Sequence, residues 1–236
     1  MSTATFKFDS DLGAFLPVAR RSHVFQYTCA RAATLKNAIE ALGVPHTEVG
    51  AVTVNGEPAT LQRTVRENDV VEIHSVKTEE TGSEPLFLAD AHLGGLARFL
   101  RMLGFDTVHR NAFHDLEIRR LADEEGRIVL TRDRELLKCR EIRRGCYVRA
   151  LKPEGQLREV AARYGLAALA RPFTLCLHCN LPLAALDKDA VAGRVPENVL
   201  STHQAFSCCG GCRRVYWPGS HYERMRSALK PIFAPA

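Results

Sequence analysis

Two Cys-x-x-Cys pairs constrain this chain most: Cys176-Leu-His-Cys179 and Cys209-Gly-Gly-Cys212, separated by residues 180–208. Four thiolates in two matching pairs satisfy a tetrahedral Zn²⁺, and the two-residue spacing lets backbone amides reach both sulfurs of a pair. Gly210 and Gly211 supply the backbone freedom that a tight knuckle uses. The spacing predicts a zinc ribbon within residues 169–236, with Cys176, Cys179, Cys209 and Cys212 on one structural Zn²⁺. Three alternatives stay open. One pair is a redox dithiol, although no thioredoxin-like context surrounds either; Cys208 replaces Cys209; or His178 is a ligand from inside the first pair. Cys29, Cys139 and Cys146 stand alone and read as buried or incidental thiols.

No apolar run approaches the roughly 20 residues of a membrane span. The start, MSTATFKFDSD, lacks a basic region followed by an apolar core, which points to a cytoplasmic protein whose cysteines stay reduced. Positive charge is uneven. Residues 1–80 carry 8 Lys/Arg against 10 Asp/Glu, 81–170 carry 16 against 13, and 171–236 carry 8 against 4. The last two thirds therefore suit a polyanion, although arginine stems also cover apolar surface.

Residues 1–78 read as a small α+β unit in the order ββαββ. Alternation marks strands at 5–8, 23–28, 49–54 and 70–74, a helix spans 33–42 with Gly43 as its stop, and Asn55-Gly56 is a hairpin turn. This order resembles the β-grasp of ubiquitin-like and sulfur-carrier proteins. No Gly-Gly tail follows the last strand, which argues for docking or scaffolding rather than carrier chemistry. Residues 79–85 read as a linker. Residues 86–168 alternate short strands with helices, which implies a parallel sheet with helices on both faces. The expected strands are 86–89, 107–108, 128–131 and 147–150, and the expected helices run from 93, 115, 134 and 154. The segment 171–225 shows little helical period.

In an open parallel sheet, ligands gather at the carboxyl ends of strands. Asp90 follows the first strand of this segment directly, and Asp133 lies two residues past the third. Asp115 at a helix start and Glu135 just after Asp133 can join them. Converging carboxylates repel unless a cation lies between them, and Mg²⁺ or Mn²⁺ prefers oxygen ligands. Three also have a plain structural role, Asp115 and Asp133 as helix caps and Glu135 as a first-turn acid, whereas Asp90 has the best case, since a carboxylate at the end of a buried strand is costly without a partner. Arg98 and Arg101 lie on the polar face of the helix after Asp90, with Arg119, Arg120 and Arg132 nearby in sequence. They can grip a phosphate backbone or simply face solvent. After the last knuckle, Arg213, Arg214, Tyr216, Trp217, His221, Arg224 and Arg226 interleave base and aromatic, as single-stranded RNA requires, or else pack the ribbon core.

D-A-H-L-G-G-L-A-R-F-L-R-M-L-G-F-D at 90–106, L-T-R-D-R-E-L at 130–136 and the closing C-x-x-C-x-x-x-Y-W-x-G-S-H together resemble the Mut-seven C-terminal RNase family. The N-terminal part resembles the ubiquitin-like domain that precedes it in bacteria. The family is similar to PIN-domain nucleases. The resemblance implies a PIN-like domain in which Asp90, Asp115, Asp133 and Glu135 hold Mg²⁺ or Mn²⁺ to hydrolyse RNA; the basic residues Arg98, Arg101, Arg132, Arg213 and Arg214, with His221, are the expected RNA side. The alternative is a non-catalytic RNA- or ribosome-binding adaptor of the same shape, favoured by Glu135 standing where related proteins carry Asp. A protein partner at the β-grasp segment is a further expectation.

Overall fold

The computed structural model describes residues 1–21, 23–79 and 84–233. Alternating side chains in the first part produce β1 (Ser2–Phe8) and β2 (Phe25–Cys29), an antiparallel pair in which Ala4 faces Tyr27. Thr34 opens α1 (Leu35–Ala41) with a reciprocal cap: its hydroxyl accepts from the Asn37 amide at 3.2 Å, and Asn37 Oδ1 accepts from the Thr34 amide. Gly43 stops the helix at φ +109°, where a Cβ would sit 2.7 Å from the Phe15 carbonyl oxygen, so only glycine fits. β3 (Val49–Val54) and β4 (Glu57–Ala59) close around Asn55-Gly56, both at positive φ, as a two-residue hairpin requires. β5 (Val70–Ser75) runs parallel to β1 and antiparallel to β3. The order β2-β1-β5-β3-β4, with α1 over a core of Phe6, Leu35, Ile39, Val71 and Ile73, is a β-grasp.

The next segment begins with β6 (Phe87–Ala89), α2 (Gly94–Met102) and β7 (Thr107–His109), with β6 and β7 paired in parallel. α3 (Asp115–Glu125), β8 (Ile128–Thr131), α4 (Arg134–Leu137) and β9 (Gly145–Tyr147) follow, and β8 and β9 are also parallel. β6 and β8 are buried at every residue, as strands covered on both faces must be. α5 (Pro153–Tyr164) and α6 (Leu166–Leu169) end the segment. The segment is thus mixed α/β with parallel strands and flanking helices. Two expectations shift locally. The helix begun at Arg134 lasts a single turn, and α3 is capped by His114, so Asp115 is its first helical residue rather than its cap.

The C-terminal part holds β10 (Leu183–Leu186), α7 (Glu197–Thr202), β11 (Phe206–Cys209), β12 (Val215–Tyr216) and α8 (Ser220–Phe233). β11 is the centre of an antiparallel three-stranded ribbon. α7 and the start of α8 correct the expectation of little helix over 171–225. Each presents only a thin apolar stripe, and Leu229 is the buried residue of α8.

Backbone proximity divides the chain into two compact units, each discontinuous: 1–79 with 114–148, and 80–113 with 149–236. Within the first, His46 Nε2 lies 2.9 Å from the Ile142 carbonyl oxygen, the Tyr147 amide donates to Glu48 at 2.9 Å, and the Arg134 guanidinium covers the Phe15 ring. Most of the expected linker, residues 80–83, lies outside the described residues.

Candidate functional site

The ribbon cysteines are built by two matching turns. Asn180, one residue past Cys179, takes φ +66° and returns its amide to the Cys176 carbonyl at 2.9 Å. Arg213, one residue past Cys212, takes φ +59° and returns its amide to the Cys209 carbonyl at the same distance. The left-handed residue thus follows each pair, which corrects the expectation that Gly210 and Gly211 supply it. A Cβ at Gly211 would sit 2.5 Å from Leu181 Cδ1, the end of an exposed side chain that can move aside.

The four Sγ atoms lie within 4.8 Å of one another, and the cysteines are the one group of three or more potential metal donors gathered so closely among the described residues. Neighbouring sulfurs are 3.2 Å (Cys179–Cys209), 3.4 Å (Cys176–Cys179) and 3.6 Å (Cys176–Cys212) apart. A tetrahedron with 2.3 Å Zn–S bonds has edges of about 3.8 Å, so this donor set fits zinc. Burial alone would raise the Cys176 thiol, but the Tyr216 hydroxyl, 3.2 Å away, and the Cys179 and His178 amides outweigh it and hold it at about 6. Burial, then Cys209, Cys176 and Cys212, push Cys179 up to about 12. Four thiols this close cannot all ionise without a cation among them, which is the condition a Zn²⁺ ion meets. Cys208 stands outside the cluster, 3.3 Å from Arg194 Nη2, and His178 is exposed and not among the donors.

The acids occupy separate elements. Asp90 follows β6 and accepts from the Ala91 amide at 2.6 Å. Asp133, past the end of β8, caps α4 through Oδ1, which accepts from the Glu135 and Leu136 amides at 2.8 and 3.3 Å. Asp115 is exposed at the start of α3. Asp115 and Asp133 both act electrostatically on the Cys139 thiol, which burial raises first. Glu135 is exposed and its carboxylate takes Lys138 at 2.7 Å.

The arginines sort unevenly. Arg98 and Arg214 are exposed and have no carboxylate partner among the described residues. Both line a cleft of about 720 Å³. Arg101 departs from its expected place on a polar helix face. It is 6% exposed and donates to the Thr107 carbonyl through Nε and Nη2, and to the Leu177 and His178 carbonyls through Nη1. A second layer, the first knuckle, covers that side of α2, which helical period alone does not reveal. Burial pushes its guanidinium below the ordinary range, while Cys176, Cys179 and Asp106 pull it back. Arg132 is half-buried and reaches the Val148 carbonyl at 3.4 Å, Arg213 is exposed, and His221 lines a groove with Arg98 and Arg224. His109, Arg110 and Asn111 also line the 720 Å³ cleft, and sequence reading passed over them because they leave β7 with no motif to mark them.

A β-grasp, parallel strands with flanking helices and a four-cysteine ribbon define a modular α/β protein. The Mut7-C RNAse domain profile matches residues 85–229 and the Mut7-C ubiquitin profile residues 1–80. The chain belongs to the Mut7-C RNAse domain family. No curated protein matches it. Among solved structures, the crystal structure of H. volcanii small archaeal modifier protein 1 is 19% identical over 32% of this chain and 98% of that one, at a TM-score of 0.26, too low to bear on fold or function. No helix among the described residues is long and apolar enough to cross a membrane.

Proposed function

We propose that this protein is a metal-dependent ribonuclease, in which Asp90, Asp115, Asp133 and Glu135 would hold Mg²⁺ or Mn²⁺ and the ribbon cysteines one structural Zn²⁺. The observation that carries the reading is family membership over 85–229, a stretch in which acids follow two buried parallel strands at their carboxyl ends. The donors are all carboxylate oxygens, the set a hard cation prefers. Asp133 Oδ2 and the Asp115 carboxylate have no hydrogen-bond donor among the described residues, so both keep lone pairs for a ligand. A divalent ion bound there supplies an activated water and neutralises charge building on the phosphodiester. Reduced ribbon thiols suit a cytoplasmic setting.

The test is cleavage of single-stranded and structured RNAs with Mg²⁺, Mn²⁺ or neither. Asp90→Asn and Asp133→Asn should each lower the rate at least about 100-fold, a loss of roughly 3 kcal/mol in transition-state stabilisation. In the Asp133 variant asparagine still caps α4 as aspartate does, so that helix start is kept. Unchanged rates in both variants would overturn the assignment. The engagement of Glu135 with Lys138 favours a second reading, an RNA-binding adaptor without catalysis. That reading expects salt-sensitive RNA binding, no cleavage with any divalent ion and indifference to Asp90→Asn.

A further inference from the structure

The ribonuclease reading leaves two neighbouring cavities of the second unit without a task. One is the cleft of about 720 Å³, lined by Arg98, His109, Arg110, Asn111, His178 and Arg214 among others, with no acidic residue in its wall. The other, of about 230 Å³, is lined by Phe173, Tyr216, Trp217 and Tyr222 together with aliphatic side chains such as Leu183 and Met225. The two share Leu177 and Tyr216, so one wall of the basic cleft is also a wall of the aromatic pocket. Phe173 and Tyr222 lie 4.3 Å apart at 42°, and the Trp217 ring lies against the Gly219 backbone, where a Cβ would sit 2.8 Å from its Nε1. The two Arg101 donations to the Leu177 and His178 carbonyls hold the knuckle backbone between the cavities.

We infer that these adjacent cavities form a strand-holding subsite for single-stranded RNA, in which one unstacked base enters the aromatic pocket and the flanking phosphates lie on Arg98 and Arg214. Charge decides the occupant. Two exposed arginines without carboxylate partners among the described residues, beside two histidines and no acid, attract a polyanion. Geometry decides its form. An apolar pocket with aromatic side chains in its wall, beside a cationic groove, takes a splayed base, whereas a duplex keeps its bases stacked and paired. The subsite deepens the ribonuclease reading by stating what kind of strand the enzyme holds, and it is independent of the acids.

The experiment uses the zinc-loaded full chain without added Mg²⁺ or Mn²⁺, so that binding is read apart from cleavage. Trp217 is the single tryptophan of the sequence, so its fluorescence reports on the aromatic pocket alone. A mixed-sequence 12-nucleotide single strand should bind with quenching of Trp217, at least about 10-fold more tightly than the duplex of the same sequence. Arg98→Ala with Arg214→Ala should weaken the single strand at least about 10-fold. It should also flatten the log–log salt dependence by about 1.4, the worth of two phosphate contacts on a single strand. Binding without any Trp217 response, duplex bound as well as single strand, a glutamate-rich peptide bound as well as RNA, or an unchanged salt slope in the double variant would each overturn the subsite. Metal-dependent cleavage that persists alongside such a result would leave the ribonuclease reading standing. Strand binding with no cleavage would do the reverse.

Discussion

Asp69 ties the β-grasp hairpin together with one carboxylate. It is 3% exposed, accepts both Arg63 guanidinium nitrogens at 2.7 and 3.0 Å, and also accepts the Arg66 amide and the Asn55 side chain. The Arg63 hydrogen bonds, opposed by burial and aided by the Arg66 amide, hold its pKa below the ordinary carboxylate value. A depressed folded-state pKa stabilises the fold fully above the unfolded value of about 3.9 and loses that contribution as pH falls through the lower folded value. Asp69→Asn should therefore cost roughly 2–3 kcal/mol at neutral pH and little in strong acid, measured by denaturant unfolding at both ends of the range. Equal losses at both would show that the charge is not what matters. Arg101 makes a parallel case in the second unit. Arg101→Met leaves the Thr107, Leu177 and His178 carbonyls without their donor and should lower thermal stability by roughly 3 kcal/mol. Arg101→Lys should recover only part of it, because one ammonium cannot reach carbonyls on both sides. Arg101 was misplaced from sequence for a physical reason. Helical period assigns one buried face, whereas α2 carries a second covering layer that comes from 76 residues downstream, at Leu177.

Among the elements, the two knuckles were the most legible, because four ligands at fixed spacing leave a chain few other folds. Cys208 against Cys209 could not be settled by counting. It took β11, whose register places Cys209 opposite Leu183 and Cys208 opposite Ala184, so adjacent side chains face opposite sides of the ribbon. The Asn-Gly hairpin and the Gly43 helix stop were readable because each is set by local backbone chemistry, and β6 and β8 because each is a short apolar run, whereas the strand expected at 147–150 lies instead at Gly145–Tyr147. Asp90 and Asp133 were legible as residues that follow strands, whereas a shared ion between acids on separate elements would depend on tertiary placement that no local pattern encodes. α7 was invisible, since six residues with no buried side chain show no period. The zinc assignment carries its own prediction. One Zn²⁺ per chain should be found by metal analysis, and Cys209→Ser should abolish it while Cys208→Ser should not. Chelation should melt the ribbon, exposing all four thiols to a disulfide reagent that leaves them untouched in the loaded protein. Equal metal content in both serine variants would overturn the ligand set.

At the scale of the molecule, the β-grasp is more than an appendage, because residues 1–79 and 114–148 make one compact unit. Its seam is polar as well as apolar. The Glu48 carboxylate is 3% exposed on the β-grasp side and accepts the Tyr147 amide of β9 at 2.9 Å. The Phe15 and Tyr147 rings meet edge-on at 5.1 Å, and Arg134 lies over both rings. A detachable carrier domain would present a self-sufficient surface, whereas this one supplies an acceptor that an edge amide of β9 needs. Glu48→Ala should therefore cost about 2 kcal/mol, the worth of a buried hydrogen bond to a charged group. Its signature is spatial. Hydrogen exchange should accelerate together in β3 and β5 and in β8 and β9, because both strand sets belong to one cooperative unit. Exchange in β6 and β7, which belong to the other unit, should change less. If β8 and β9 kept their protection while β3 and β5 lost theirs, the β-grasp would be an independent module, and a docking role for residues 1–79 alone would regain its footing.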